Sequence, residues 1–184
     1  MEEGFVMSEK VEVYISEEEV RERVKKMADH INEEYAGKEV HLIGILKGSV
    51  LFLCELAKHL NMTVTMDFMS CSSYGSGTVS KGIVKITKDL DDSIEGKHCI
   101  IVEDIIDSGN TLAYLTQQLS LRNPASLAIV TLLDKPCRRK KDIPVKHSCF
   151  RIDDKFVVGF GLDYCQKYRN LPYIGKIIVD GEEQ

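Results

Sequence analysis

The fold is decided by the stretch Ile100-Ile101-Val102-Glu103-Asp104-Ile105-Ile106-Asp107-Ser108-Gly109-Asn110-Thr111-Leu112. Its β-branched apolar start is typical of a buried strand, and two adjacent carboxylates follow near the end of that strand. A short loop with a third carboxylate, a serine, a glycine and a threonine comes next, and a helical pattern begins after it. Ligands of α/β proteins bind at this end of the sheet, where a helix N-terminus offers free N–H groups to a phosphate. The stretch therefore predicts a phosphate site beside paired acids that could hold Mg²⁺, with a phosphorylated sugar or nucleotide as the ligand.

Composition and charge restrict the class of protein. The chain has 184 residues, of which 43% are hydrophobic and 29% charged, and this predicts one globular domain with a substantial core. Its formal net charge of −5 argues against a nucleic-acid partner, because binding a phosphate backbone needs a basic face. The apolar stretches are far shorter than the roughly 20 residues that cross a bilayer, and the N-terminus lacks a signal-peptide pattern. We therefore expect no nucleic-acid partner and no membrane contact.

Cysteine and histidine spacing indicates neither a disulfide framework nor a zinc site. The six cysteines are scattered without a Cys-x-x-Cys pair, and the five histidines show none of the usual zinc spacings. A disulfide framework is uncommon in a chain of this length and composition. These observations predict a reduced, cytoplasmic protein.

Hydrophobic periodicity predicts alternating helices and strands. Ser16 and Glu19 have the spacing of a capping box, so a helix should start there and stop at Gly37. Val40–Leu46 is a continuous apolar run and predicts a buried parallel strand. The pattern at 50–60 is helical and apolar on nearly every side, which predicts burial against the sheet and either a second subunit or the interior.

The remaining segments continue this alternation. A helix is predicted at 111–121, and strands are predicted at 64–69, 83–86, 126–133, 156–160 and 174–179. Residues 70–78 are rich in serine and glycine, so we interpret them as a loop. The alternation predicts an open α/β sheet.

Most candidate site residues also have an ordinary structural interpretation. Adjacent acids at a strand end are often only a solvated exit from the sheet, but the turn-forming residues at 108–110 favour a ligand site. Lys135 precedes a basic run, Arg138, Arg139, Lys140 and Lys141, for which we predict a solvated loop. An aromatic such as Phe156 is usually core, and a loop such as 72–78 is usually just flexible.

The segment 101–112 resembles the diphosphoribosyl-binding signature of the type I phosphoribosyltransferases: apolar residues, two acids, a two-residue spacer, then Asp-Ser-Gly-x-Thr. Other segments resemble the 6-oxopurine branch of that family, namely Leu46-Lys47-Gly48-Ser49, Ser72-Ser73-Tyr74, Lys135, Lys155-Phe156-Val157-Val158-Gly159, Leu162-Asp163-Tyr164 and Arg169. The resemblance covers roughly residues 12–180. It implies the type I phosphoribosyltransferase fold, with an open, mostly parallel sheet flanked by helices. It also implies one domain over 1–184, with its core at about 38–150 and a small hood from the N-terminal segment and the residues after about 150.

The resemblance also implies an activity in purine salvage. The expected reaction moves the 5-phosphoribosyl group from 5-phospho-α-D-ribosyl 1-diphosphate to hypoxanthine or guanine. The products would be IMP or GMP and pyrophosphate, and Mg²⁺ would be the cofactor. Family members of this kind imply a homodimer or homotetramer.

Each matching residue takes an expected role from the resemblance. The 5′-phosphate would be held by Asp107, Ser108, Gly109, Asn110 and Thr111, with Asp107 also the candidate general base near purine N7. Glu103 and Asp104 would lie by the ribose and, with Asp163, on the metal side. The pyrophosphate would contact Lys47, Gly48 and Arg169, and the peptide bond before Lys47 can be cis in this family.

The purine and the lid complete the expected site. Lys135 would donate to the 6-oxo group, Phe156 would stack on the purine, and Val157 would contact its edge through the backbone. Asp163 is also expected at the purine. A lid formed by Ser72, Ser73 and Tyr74 would close over the diphosphate.

Two alternatives remain open from the sequence. A non-catalytic regulator could use the same fold to sense the diphosphate, but it should carry a basic nucleic-acid surface, whereas the residues before Val40 contain an acidic amphipathic helix. An enzyme of the same fold acting on adenine or a pyrimidine is disfavoured by Lys135 and by 155–157. The order of preference among hypoxanthine, guanine and xanthine stays open at this stage.

Overall fold

The computed structural model describes residues 9–74 and 83–179 of the chain. The elements in this part of the chain are β1 (Glu9–Ile15), α1 (Glu17–Glu34), β2 (Val40–Leu46), α2 (Val50–Ala57), β3 (Val64–Tyr74), β4 (Ile83–Lys88), β5 (His98–Ile106), α3 (Asn110–Ser120), β6 (Ser126–Asp134), β7 (His147–Arg151), β8 (Val157–Val158) and β9 (Ile174–Val179). One turn of 3₁₀ helix, Pro136–Arg138, follows β6. No helix within these two ranges is long and apolar enough to cross a membrane.

A six-stranded sheet in the order β4-β3-β2-β5-β6-β7 forms the centre of the molecule. Strands β3, β2, β5, β6 and β7 run parallel to one another, and β4 pairs antiparallel with β3 at one edge. Successive residues of β2 face opposite sides, because strand side chains alternate. Leu42 belongs to a core with residues of α1 and α2, and Ile43 to a core with residues of α3. The predicted open, mostly parallel sheet flanked by helices is confirmed.

Helix α1 starts as the sequence predicts. The Ser16 hydroxyl accepts from the N–H of Glu19 at 3.3 Å, and the Glu19 carboxylate accepts from the N–H of Ser16 at 2.9 Å. This reciprocal pair satisfies two N–H groups that a helix N-terminus otherwise leaves free. The helix ends at Glu34, and Gly37 then takes the left-handed conformation with φ +74° in the turn toward β2.

Helix α2 is shorter than the predicted 50–60. It ends at Ala57, and the side chain of Asn32 then binds the following backbone: it donates to the carbonyl of His59 at 3.0 Å and accepts from the N–H of Asn61 at 2.9 Å. The Asn32 side chain thus supplies hydrogen-bond partners to backbone groups that lie beyond the end of the helix. Phe52, Leu53 and Leu56 are buried, but Leu51 and Cys54 are exposed, so the burial of this helix is one-sided within the chain.

Strand β3 is longer than the predicted 64–69 because its last residues pair with β4. Cys71 lies opposite Ile86 and Ser72 opposite Lys85, so the predicted loop is wrong for 70–74. Antiparallel pairing gives these polar residues backbone hydrogen bonds that their composition does not reveal. The rest of the predicted lid, 75–78, and the side chains of Ser73 and Tyr74 lie outside the described residues.

A second, three-stranded antiparallel sheet has the order β1-β9-β8. The predicted strand at 156–160 is reduced to Val157–Val158, because Gly159 and Phe160 have φ angles of +92° and +48°. The chain turns there instead, and the N–H of Leu162 donates to the carbonyl of Gly159 at 3.1 Å. Strands β1 and β7 were not predicted from the sequence.

Candidate active site

The predicted phosphate loop lies between β5 and α3. Gly109 has φ +80° and precedes the first residue of the helix, Asn110. A Cβ atom on Gly109 would lie 2.7 Å from Cδ1 of Ile143, so glycine is needed here both for conformation and for space. The loop surrounds a cavity of about 100 Å³ lined by Glu103, Ile105, Ile106, Asp107, Ser108, Gly109, Thr111 and Leu112. The structure therefore brings four of the five predicted phosphate residues around one cavity, with Asn110 at the helix start beside them.

Glu103 and Asp104 form an unfavourable pair of acids at the end of β5. Burial raises the pKa of Glu103 well above its usual value, and the negative charge of Asp104 raises it further. The Oε2 atom of Glu103 is buried and has no hydrogen-bond partner. Burial also raises the pKa of Asp104, although Glu103 and the N–H of Ile105, at 2.8 Å, hydrogen-bond to its carboxylate. A cation would stabilise both carboxylates.

The loop after β2 lies directly against Asp104. The peptide bond between Leu46 and Lys47 is cis. A Cβ atom on Gly48 would stand only 1.5 Å from Oδ2 of Asp104. On the other side, a Cβ atom on Gly161 would stand 1.9 Å from the carbonyl oxygen of Gly48. Because neither Gly48 nor Gly161 has a side chain, the backbone at Gly48 can pack between the Asp104 side chain and the backbone at Gly161.

Arg169 and Asp163 form an ion pair next to this loop. The Arg169 Nη2 atom lies 2.7 Å from Oδ1 of Asp163, and Nη1 donates to the carbonyl of Gly161 at 2.7 Å. Among the residues that the structure describes, no group of three or more His, Cys, Asp or Glu side chains could hold a metal ion. Of the three predicted metal residues, Glu103 and Asp104 are neighbours at the end of β5, whereas Asp163 pairs with Arg169 and is not grouped with them.

Gln166 belongs to the same junction and was missed by sequence reasoning. Its Oε1 atom accepts from Nζ of Lys47 at 3.2 Å and from Nη2 of Arg169 at 3.3 Å. Its backbone N–H donates to Oδ2 of Asp163 at 2.8 Å. The only feature of the sequence that could have indicated Gln166 is its position between Asp163 and Arg169.

Three of the four residues predicted for the purine, Lys135, Phe156 and Val157, differ in exposure, whereas the fourth, Asp163, pairs with Arg169. Lys135 is buried, and its Nζ donates to the carbonyl of Lys155 at 2.5 Å. Phe156 is 57% exposed, and its ring packs edge-on against Tyr164 with the ring centroids 5.5 Å apart. Val157 is buried in β8. The exposure of Phe156 excludes the core interpretation.

The prediction of a solvated basic loop is wrong for Arg139, whereas Arg138 is exposed as predicted but pairs with two acids. The 3₁₀ turn directs Arg138 back toward the site, where Nε lies 2.7 Å from Oδ1 of Asp154 and Nη1 lies 3.6 Å from Oδ2 of Asp107. The hydrogen bond to Asp154, together with the charges of both acids, raises the pKa of Arg138. Arg139 forms an ion pair with the buried Asp134.

The rest of the basic run folds over the phosphate loop. Lys140 and Lys141 have exposed side chains, as predicted, but their backbone N–H groups donate to the carbonyl of Ser108 at 2.9 and 3.2 Å.

The acid of the phosphate loop, Asp107, has a buried Oδ1 atom without a hydrogen-bond partner. The arrangement can bind a phosphate, a cation and a planar base, and it offers one carboxylate as a proton acceptor.

Comparisons with known proteins agree with this geometry. A family model described as phosphoribosyl transferase domain matches residues 14–165. The chain is 51% identical over 175 residues to a hypoxanthine phosphoribosyltransferase of Escherichia coli, covering 94% of this chain and 98% of the relative. It is 52% identical over 163 residues to a hypoxanthine-guanine phosphoribosyltransferase of Bacillus subtilis, covering 89% and 91% of the two chains.

Solved structures show the same relationship. A hypoxanthine-guanine phosphoribosyltransferase from Bacillus anthracis superposes with a TM-score of 0.87 at 43% identity, covering 93% of this chain and 99% of that one. A hypoxanthine phosphoribosyltransferase from Staphylococcus aureus gives a TM-score of 0.87 at 48% identity, with 91% of each chain covered. This chain therefore belongs to the phosphoribosyltransferase family, within the branch of the hypoxanthine and hypoxanthine-guanine phosphoribosyltransferases.

Proposed function

We propose that this protein transfers the 5-phosphoribosyl group from 5-phospho-α-D-ribosyl 1-diphosphate to hypoxanthine or guanine, giving IMP or GMP and pyrophosphate. One observation carries the choice of base: the backbone N–H of Lys135 donates to the carbonyl of Ile106 at 2.9 Å, next to Asp107. A 6-oxopurine carries O6 and N7 on the same edge. Lys135 and Asp107 directly follow two neighbouring parallel strands, β6 and β5, and a lysine and a carboxylate at these positions suit that pair of atoms.

The phosphate and the purine would occupy opposite sides of Asp107. The N–H groups and hydroxyls of the loop from Ser108 to Thr111 would hold the 5′-phosphate at the start of α3. On the other side, Lys135 would donate to O6, the exposed ring of Phe156 would stack on the base, and the backbone of Val157 would contact the ring edge. Adenine has an amino group where O6 stands and would leave the Lys135 ammonium without an acceptor.

Proton transfer would involve Asp107. As purine N9 bonds to C1′ of the ribose, the base must lose the proton on its other imidazole nitrogen, N7. The Asp107 carboxylate would accept that proton, and its Oδ1 atom, which has no hydrogen-bond partner, supports this role.

The diphosphate would leave toward the loop after β2. Backbone N–H groups at Lys47 and Gly48 and the guanidinium of Arg169 would stabilise the charge that grows on it. The ribose becomes oxocarbenium-like in this step and would react with water. A lid built on Ser72, Ser73 and Tyr74 would exclude water from it.

Glu103 and Asp104 fit a divalent cation. Their pKa values are raised by burial, and Glu103 Oε2 has no partner, so a cation would relieve an existing electrostatic cost. Mg²⁺ keeps several waters and needs few protein ligands, so these two acids would suffice, with Asp163 contributing through water. Bound there, Mg²⁺ would neutralise negative charge on the departing diphosphate.

The same proposal covers the organisation of the protein. The chain would form a single domain over 1–184, with the core at about 38–150 and the β1-β9-β8 sheet as the hood over the site. The exposed Leu51 and Cys54 of α2 support a homodimer or homotetramer formed through this helix. Six free cysteines support a cytoplasmic location.

Nucleotide formation tests the function directly. The protein would be incubated with the sugar diphosphate, with and without Mg²⁺, and in parallel with hypoxanthine, guanine, xanthine, adenine and uracil. We expect Mg²⁺-dependent turnover with 6-oxopurines and none with adenine or uracil. No turnover with any base, despite binding of the diphosphate, would instead indicate a regulator.

A further inference from the structure

Two loops that are far apart in the sequence meet at one amide side chain. Gln166 Oε1 accepts from Nζ of Lys47 at 3.2 Å and from Nη2 of Arg169 at 3.3 Å. Lys47 precedes α2, whereas Gln166 and Arg169 follow β8. A single acceptor therefore connects the guanidinium proposed to contact the pyrophosphate with the ammonium of Lys47, whose backbone N–H is proposed to contact it.

The backbone around Gln166 fixes the direction of its side chain. Cys165, Gln166 and Tyr168 have φ angles of +49°, +67° and +73°, in the left-handed region that non-glycine residues rarely adopt. The turn is closed by hydrogen bonds between Tyr164 and Lys167 in both directions, at 3.2 and 2.9 Å. The N–H of Gln166 is itself bound to Asp163, so the residue is held from both sides.

The chemistry of the acceptor matters as much as its position. A neutral amide oxygen binds an ammonium or a guanidinium more weakly than a carboxylate does, because only one partner is charged. A diphosphate would therefore displace Gln166 more easily than it would displace a carboxylate at the same position, although Asp163 also holds Arg169. A glutamate here would hold both cations more strongly and would repel the anionic substrate.

We infer that Gln166 is a positioning residue for the diphosphate: it holds the Lys47 ammonium and the Arg169 guanidinium together before the substrate arrives and releases them to it. This inference rests on the proposed function, because it takes the diphosphate as the ligand of that junction. It differs from a structural role, which would affect stability and both substrates alike.

Steady-state kinetics of two variants test the inference. Gln166→Met removes the acceptor at similar length, and the KM for the sugar diphosphate should rise about three- to tenfold, the range for losing an ordinary hydrogen bond at an exposed position. The kcat and the KM for hypoxanthine should stay within about twofold. Gln166→Glu should raise the KM for the diphosphate as well, and high salt should reduce that rise. Gln117→Met, on the exposed face of α3, is the matched control and should change none of these constants.

Two results would overturn the inference: an unchanged KM for the diphosphate in Gln166→Met, or equal losses for both substrates together with a lower Tm. Calorimetric binding of pyrophosphate separates this inference from the proposed function. If the wild type makes no nucleotide but binds pyrophosphate more tightly than Gln166→Met does, the positioning role stands and the activity fails. If the wild type neither reacts nor binds pyrophosphate, both fail.

Discussion

Arg138 faces Asp107 of the phosphate loop, with Nη1 of the arginine 3.6 Å from Oδ2 of the acid. Asp154 lies on its other side at 2.7 Å and is also 3.9 Å from the ammonium of Lys135. Charges of alternating sign therefore connect the residue proposed to read O6 with the residue proposed to accept the N7 proton. A purine that binds between these two residues would contact both Lys135 and Asp107, and Asp154 and Arg138 link that pair.

Removing the Arg138 charge should weaken the use of the purine. In Arg138→Met we expect kcat/KM for hypoxanthine to fall by up to about fivefold, because half-exposed ion pairs contribute less than about 1 kcal/mol. Lys141→Met is the control, since that side chain is exposed and only its backbone contacts the phosphate loop. Equal kinetics in both variants would show that the pair between Arg138 and Asp107 has no part in purine binding.

Asp107→Asn separates proton transfer from phosphate binding. The amide keeps the size of the side chain but cannot take a proton, so kcat should fall about 10²- to 10⁴-fold. Binding of the sugar diphosphate, measured by calorimetry, should change far less, because the N–H groups of the loop remain. A variant that turns over at the wild-type rate would exclude the base role of Asp107.

Gly48→Ala should damage the site through crowding alone. The new Cβ would stand 1.5 Å from Oδ2 and 2.5 Å from Cγ of Asp104, so the loop or the acid must move. We expect the KM for the diphosphate to rise more than tenfold, a change of about 1.4 kcal/mol or more. Gly96→Ala is the control: it has nothing within 4 Å and should cost only backbone strain at φ +71°, seen as a modest fall in Tm.

The Asp67 carboxylate makes the free energy of unfolding depend on pH. Burial alone would raise its pKa, but the N–H groups of Asp91 and Phe68, at 2.7 and 2.6 Å, and the charge of Lys88 outweigh burial and lower it. A pKa that is lower in the folded state stabilises the fold above the unfolded value of about 3.9. That contribution is lost as the pH falls through the folded pKa.

Urea unfolding of wild type and Asp67→Asn between pH 7 and pH 3 measures this contribution. The difference in free energy of unfolding should be largest near neutral pH and should shrink as the pH falls below about 4. A difference that stays constant over this range would mean that the ionised carboxylate contributes nothing specific.

Local patterns were sufficient for much of the fold. The capping box at Ser16 and the apolar run Val40–Leu46 depend on neighbouring residues only, and both are confirmed. The phosphate loop was also predictable from the sequence, because the turn between β5 and α3 needs a positive φ, +80° at Gly109, and such a position favours glycine.

The features that were missed depend on partners distant in the sequence. Strand β1 is rich in charged residues and forms because its backbone pairs with β9, more than a hundred residues away. The basic run after Lys135 gave no sign that Arg138 would turn toward Asp107, since that contact needs the 3₁₀ turn and Asp154 together. Gln166 is a site residue only because the loop after β2 reaches it.

Strand β3 also sets the mechanics of the proposed closure. Its pairing with β2 ends where Ser70 lies opposite Leu46, so 71–74 extend past the end of β2 with β4 as their paired neighbour. Four strand residues measure about 13 Å, and the pairing with β4 shifts register between Ser70 and Cys71. Such an irregularity bends a strand locally. In the proposed closure, a rotation of about 10° at this irregularity would displace the end of the two-stranded arm by about 2 Å.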